Sequence, residues 1–124
     1  MNLKRAAGGD SCCLYDSLDD IGQRKLLVGG SIGPYGAYLR DGSEYSGNYM
    51  DSVSGDELDR VHIPRLRALI NGGADVLNVE TVPSVDEAVR VLDFLQKEYP
   101  SAEVWLTFSV NVGVLHVALI VNVG

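Results

Sequence analysis

Two Ser-x-x-Glu signals, each opening an apolar repeat at helical spacing and each set between short valine- and leucine-rich runs, restrict what this chain can fold into. Ser54-Gly55-Asp56-Glu57 precedes Leu58, Val61, Leu66, Leu69 and Ile70. Ser84-Val85-Asp86-Glu87 precedes a stripe of Val85, Ala88, Val89, Leu92 and Leu95. Both have the form of a capping box, in which serine caps the helix and glutamate reaches back to the backbone. Asn71-Gly72-Gly73 supplies residues that tolerate the left-handed conformation and so ends the first helix. Tyr99-Pro100-Ser101 stops the second. Pro64 lacks an N–H and clashes with the turn before it, which predicts a kink or a split near Ile63. Strands are expected at Leu26–Gly30, Asp75–Glu80 and Glu103–Val110. Strands alternating with helices of this length specify right-handed βαβ units on a parallel sheet.

Between the first strand and the first helix lies Gly29–Tyr49, GGSIGPYGAYLRDGSEYSGNY, with six glycines and four tyrosines. A connection this long inside a compact α/β unit is uncommon and usually functional. Its glycines let backbone approach a ligand, and its tyrosines offer apolar bodies with polar tips. Gly30, Gly33 and Gly36 fit neither the dinucleotide fingerprint nor a phosphate loop, and no lysine follows them, so a nucleotide site is not indicated.

These segments resemble the homocysteine S-methyltransferase family, also called the homocysteine-binding domain. The resemblance is carried by SIGPYGAYLRDGSEYSGNY, by HIPRLRALINGGADVLNVETVPS, and by the aromatic strand Val104-Trp105-Leu106-Thr107-Phe108-Ser109. It implies that the chain's parallel βαβ units form part of a (β/α)8 TIM barrel. With 124 residues the chain is about half of a barrel of about 250 residues, so the barrel is expected to be incomplete. The expected organisation is a poorly ordered leader over 1–25, a partial barrel domain over 26–110 and a divergent apolar tail over 111–124.

In a parallel barrel the working residues lie at the C-terminal ends of the strands. Those ends carry Ser31 and Gly33, then Glu80 and Thr81, then Phe108 and Ser109. The resemblance implies that Glu80 binds the α-amino group of homocysteine. A carboxylate at a partly buried strand end suits that role, because an ammonium there makes a charge-assisted hydrogen bond. Ser31, Gly33, Tyr35 and Thr81 complete the expected substrate-binding set, with no catalytic residue assigned. The resemblance further implies methyl transfer from a sulfonium donor, S-methylmethionine or S-adenosylmethionine, to the homocysteine sulfur, giving methionine. The family's zinc is held by three cysteines on later strands. Cys12 and Cys13 are the only cysteines here and precede the first matched strand. They read as free thiols, so the zinc ligands are absent and the isolated chain is expected to be inactive. The alternative is a non-catalytic α/β binding or interaction domain of the same ancestry. His62 reads as a helix-face residue, and His116 as a lone histidine in an apolar run.

Net charge is −7, and all of it falls after Lys25. That acidity, with no basic stripe, argues against a nucleic-acid partner. Two adjacent cysteines make no disulfide framework, which points to a reducing cytoplasm. Val104–Gly124 carries no formal charge. Its asparagines, glycine and seven valines favour strand over membrane helix. Two sheet edges, at Leu26–Gly30 and Glu103–Val110, are expected to be unpaired unless the tail covers one of them. Self-association is therefore expected.

Overall fold

The computed structural model describes residues 27–109 and the backbone of 117–122. The leader 1–25, Cys12, Cys13 and His116 lie outside the described residues. Strand β1 spans Gly29–Ile32 and a short helix α1 spans Tyr35–Leu39. A 3-10 turn covers Asn48–Asp51, and helix α2 covers Gly55–Asn71. Strand β2 (Val76–Val82), helix α3 (Val85–Glu98), strand β3 (Glu103–Phe108) and strand β4 (Val117–Asn122) follow. The sheet order is β1-β2-β3-β4. The first three strands are parallel, with Ser31 opposite Asn78 and Asn78 opposite Trp105. β4 pairs antiparallel with β3, from Glu103 opposite Asn122 to Phe108 opposite Val117.

The predicted alternation of strands and helices is therefore present, as an open sheet rather than a closed barrel. One detail differs from expectation. The long connection is not all loop: it begins inside β1 and folds into α1, which is closed by Arg40 at a φ of 61°. Of the two edges, the one at β3 is covered by the tail, which adds the antiparallel strand β4 there.

Alternation along the strands sorts their side chains onto two faces. Ile32, Leu77, Val79, Val104 and Leu106 are buried and pack with Leu66 of α2 and Ala88, Val91 and Leu95 of α3. Ser31, Asn78, Glu80, Trp105 and Thr107 alternate with them and take the opposite face. Trp105 remains 46% exposed on that face.

The helix starts show how closely capping chemistry sets these elements. At Ser54 the box is complete: the backbone N–H of Ser54 donates to Glu57 Oε2 at 2.9 Å, and Glu57 N–H donates to Ser54 Oγ at 3.3 Å. Those bonds from Ser54 hold the Glu57 carboxyl below its ordinary range. At Ser84 only half the box forms. Glu87 N–H donates to Ser84 Oγ at 3.3 Å, but the Glu87 side chain turns into the protein instead of reaching back. The buried stripe of α3 turns with it. Val91 is inside, whereas Val85 and Val89, expected inside, are exposed.

Helix α2 runs through Pro64 as one element, so the expected split does not occur. Pro64 and Arg60 both lie on the exposed side of the helix. The carbonyl that loses its partner is that of Arg60, and water can satisfy it there. Past the helix end, Gly73 adopts a φ of 90°, as the Asn-Gly-Gly signal implies.

Candidate active site at the C-terminal end of the sheet

Two residues of β2 stand against one of β3 near the strand ends. Val79 pairs with Leu106 and Val82 with Phe108, which leaves Glu80 and Thr81 opposite Thr107 alone. This is a β-bulge, a device that re-aims side chains where a sheet meets its site. Thr81 takes the left-handed conformation to make it, with a φ of 59°. Thr81 N–H donates to Thr107 Oγ1 at 2.8 Å, so the threonine hydroxyl holds the distorted backbone in place.

Strand alternation places Glu80 on the open face of the sheet, directly before the bulge. Asn78, Glu80, Trp105 and Thr107 line a cavity of about 220 Å³ there. Among the described residues Glu80 has no hydrogen-bond or ion-pair partner, so its carboxylate is available to a cationic group. Asn78 Oδ1, at the floor of this face, is buried and also lacks a partner among the described residues. The cavity thus brings a carboxylate, an amide and a hydroxyl together beside an indole.

The other residues singled out from sequence fall at different distances from this cavity. Ser31 lies one strand away, opposite Asn78 and exposed on the same face. A Cβ added at Gly33 would meet only Ala37 Cβ, at 3.6 Å, an ordinary contact. Internal packing therefore does not demand glycine at 33, and backbone approach to a ligand remains its best use. Thr81 contributes through its backbone, at the bulge. Tyr35 does not line the cavity. Its ring packs against Tyr38 and Tyr49, at centroid distances of 5.8 and 5.5 Å. Burial and the neighbouring Glu57 charge raise its phenol above the ordinary value.

Asn78, Trp105 and Thr107 were not anticipated as site residues. The signal was available, since each shares the period-two face of Glu80 or its cross-strand partners. Behind the sheet the structure also assembles a buried cluster that sequence reasoning missed. Glu87 Oε1 accepts from Tyr35 N–H at 2.6 Å and from His62 Nε2 at 2.7 Å, and Oε2 accepts from the Tyr49 hydroxyl. His62 is thus a buried partner of Glu87, not a solvent-facing residue.

No group of three His, Cys, Asp or Glu side chains among the described residues is arranged to hold a metal ion. The described residues therefore do not supply the zinc site that the resemblance implies. Among the described residues no helix is long and apolar enough to cross a membrane.

Fold and site together define a parallel α/β segment with a carboxylate at a bulged strand end. The model of the family "Homocysteine S-methyltransferase" matches residues 5–118, and the chain belongs to that family. It is 49% identical over 98 residues to homocysteine S-methyltransferase YbgG of Bacillus subtilis, an alignment that covers 79% of this chain and 30% of that protein. It is 46% identical over 81 residues to the betaine-homocysteine S-methyltransferase of Drosophila melanogaster, covering 65% of this chain and 24% of the relative. The metallated form of the homocysteine methyltransferase MmuM from Escherichia coli superposes with a TM-score of 0.69 at 40% identity. That superposition covers 82% of this chain and 34% of MmuM. The chain spans between about a quarter and a third of the length of the relatives it matches.

Proposed function

We propose that this chain carries the amine-recognising part of a homocysteine S-methyltransferase site. Glu80 receives the α-amino group of homocysteine, Asn78 and Thr107 offer polar contacts beside it, and Gly33 and Ser31 present the end of β1. The reaction is methyl transfer from a sulfonium donor to the homocysteine sulfur, giving methionine, in the cytoplasm. The observation that carries this reading is the Glu80 carboxylate, without a partner among the described residues, lining a cavity on the open face beside the bulge. An ammonium docking there gains a charge-assisted hydrogen bond without displacing an existing partner.

Isothermal titration with homocysteine and with its analogue lacking the amine tests the assignment. Glu80→Gln is expected to weaken homocysteine binding by about 1.5–3 kcal/mol, the range for a hydrogen bond to a charged group, and to leave the analogue unaffected. Equal losses for both ligands, or none for either, would remove Glu80 from this role.

We infer further that the chain alone does not turn over, since the described residues offer no ligand set to make the sulfur a thiolate. One observation favours a non-catalytic binding domain as the second reading. The β3 edge, where a barrel would continue with a parallel strand, is taken by the antiparallel β4. Methionine formation above background, with one zinc bound per chain, would exclude it.

A further inference from the structure

The Gly/Tyr segment is gripped from behind by a single buried carboxylate. Glu87 is 1% exposed, and three donors from three different elements converge on it. Tyr35 N–H comes from the first turn of α1, Tyr49 from the 3-10 turn, and His62 Nε2 from α2. A carboxylate's two oxygens have acceptor capacity for all three. His62 Nδ1 has no partner among the described residues.

Tyr35 and Tyr49 are the two ends of the segment that closes the C-terminal side of β1. Between them the chain runs through α1 and a series of turns, largely exposed over 37–42 and at 45–46. Tyr38 and Tyr45 are exposed, and Gly42 and Gly47 have positive φ angles. Tyr45 carbonyl oxygen accepts a hydrogen bond from Ser109 Oγ, but at 3.4 Å it is a long one. Glu87 itself sits in the first turn of α3, five residues after β2 ends at Val82, and so at the same end of the sheet as Glu80.

We propose that Glu87 is a positioning residue: its carboxylate clamps both ends of the 35–49 segment and so fixes that segment, and the backbone of Gly33 before it, beside the Glu80 cavity. The clamp does not touch the ligand. It sets the shape of the mouth through which an amino-acid-sized molecule enters. The ligand arm of the test below rests on the function proposed above, and the exchange arm does not.

Hydrogen–deuterium exchange on the whole chain, read by peptides, compares the native protein with Glu87→Gln and Tyr49→Phe. Tyr49→Phe removes one donor and keeps the ring against Tyr35, so it reports even if Glu87→Gln fails to fold. Losing one such bond is expected to speed exchange about tenfold in peptides covering 33–53, with β2 and β3 unchanged. Unchanged exchange over 33–53, or equal acceleration in β2 and β3, would overturn the clamp and leave Glu87 as general support for the fold. In titrations, Tyr49→Phe is expected to weaken homocysteine and its amine-free analogue by the same factor, whereas Glu80→Gln affects only the former. A loss confined to homocysteine would also overturn the clamp. If neither ligand binds the native chain, the proposed function fails and the exchange result alone decides.

Discussion

Gly36→Ala sets two effects of opposite sign against each other. Gly36 lies inside α1, where alanine is favoured over glycine by about 1 kcal/mol on helix propensity alone. Yet a Cβ at this position would stand 2.5 Å from Glu44 N, 2.7 Å from Glu44 Cα and 2.7 Å from the Ser43 carbonyl carbon. Optimal contacts between such atoms are about 3.5–4 Å, so the overlap is close to an ångström against three atoms. All three belong to backbone, which cannot rotate away as a flexible side chain would. Relief requires moving 43–44 bodily away from α1. Overpacking of this kind costs about 1–3 kcal/mol, and backbone on backbone belongs at the upper end. Subtracting the propensity gain leaves a net destabilisation of about 2 kcal/mol, or a Tm lower by about 8 °C for a chain of this size. Thermal unfolding followed by circular dichroism measures it. Gly42→Ala is the control: its φ is 84°, but a Cβ there meets nothing within 4 Å. Its cost is backbone strain alone, about 1–2 kcal/mol. A higher Tm for Gly36→Ala would refute the packing argument and show that the 43–44 turn yields freely.

Three further outcomes are expected. Thr81→Gly should relieve the left-handed strain at the bulge and raise the denaturant midpoint by up to about 1 kcal/mol, once the greater chain entropy of glycine is discounted; a lowered midpoint would show that the threonine side chain contributes more than its strain costs. Ser54→Ala should cost about 0.5–2 kcal/mol in urea unfolding, and Ser84→Ala should cost less, because the box at Ser54 is reciprocal and the one at Ser84 is not. Burial, and then the hydrogen bond to Glu87, push the Tyr49 phenol well above its ordinary value of about 10. The native state therefore keeps a proton that the unfolded chain releases, so Tyr49 stabilises fully below pH of about 10 and progressively less as pH rises beyond it. Urea midpoints between pH 8 and 11.5, in the native protein and in Tyr49→Phe, should show a shallower alkaline decline in the variant.

Local signals carried most of the fold. The capping serines, the Asn-Gly-Gly stop and the valine-rich runs each report on residues within one turn or one strand, and local chemistry decides them. Glu80 could be singled out as a candidate because a carboxylate directly after an apolar strand has few structural uses. Glu87 was not, because its place in a Ser-x-x-Glu pattern gave it a sufficient local explanation. Its real partners lie 25, 38 and 52 residues away, at His62, Tyr49 and Tyr35. The burial of Glu87 also explains the misplaced stripe on α3. A helix that must bury position 87 buries 91 with it, and turns Val85 and Val89 outward. The bulge at Glu80–Thr81 left no trace in composition, since a β-branched threonine is a poor choice for a positive φ. Only its bond to Thr107, 26 residues on, accounts for it.

The fourth strand bears on how the chain behaves alone. Among the described residues, pairing β4 with β3 does not remove an open edge. It moves the edge outward by one strand. The edge of β3 includes the charged Glu103, whereas β4 is Val-Ala-Leu-Ile-Val-Asn and carries no charge at all. Charge on an edge is one of the means by which proteins discourage pairing with a second copy, so the exchange leaves the more adhesive strand outermost. The pairing is nonetheless favourable within one chain: six cross-strand pairs at about 0.2–1 kcal/mol each contribute about 1–6 kcal/mol. The native chain is therefore expected to fold and then to self-associate through β4, with an apparent mass that rises with concentration in size-exclusion chromatography with light scattering. Ile120→Lys places a charge at the register position opposite Trp105 and should restore the monomer without loss of cooperativity in unfolding. A native chain that stays monomeric across a hundredfold concentration range would refute the edge argument. So would an Ile120→Lys variant that associates as strongly as its parent.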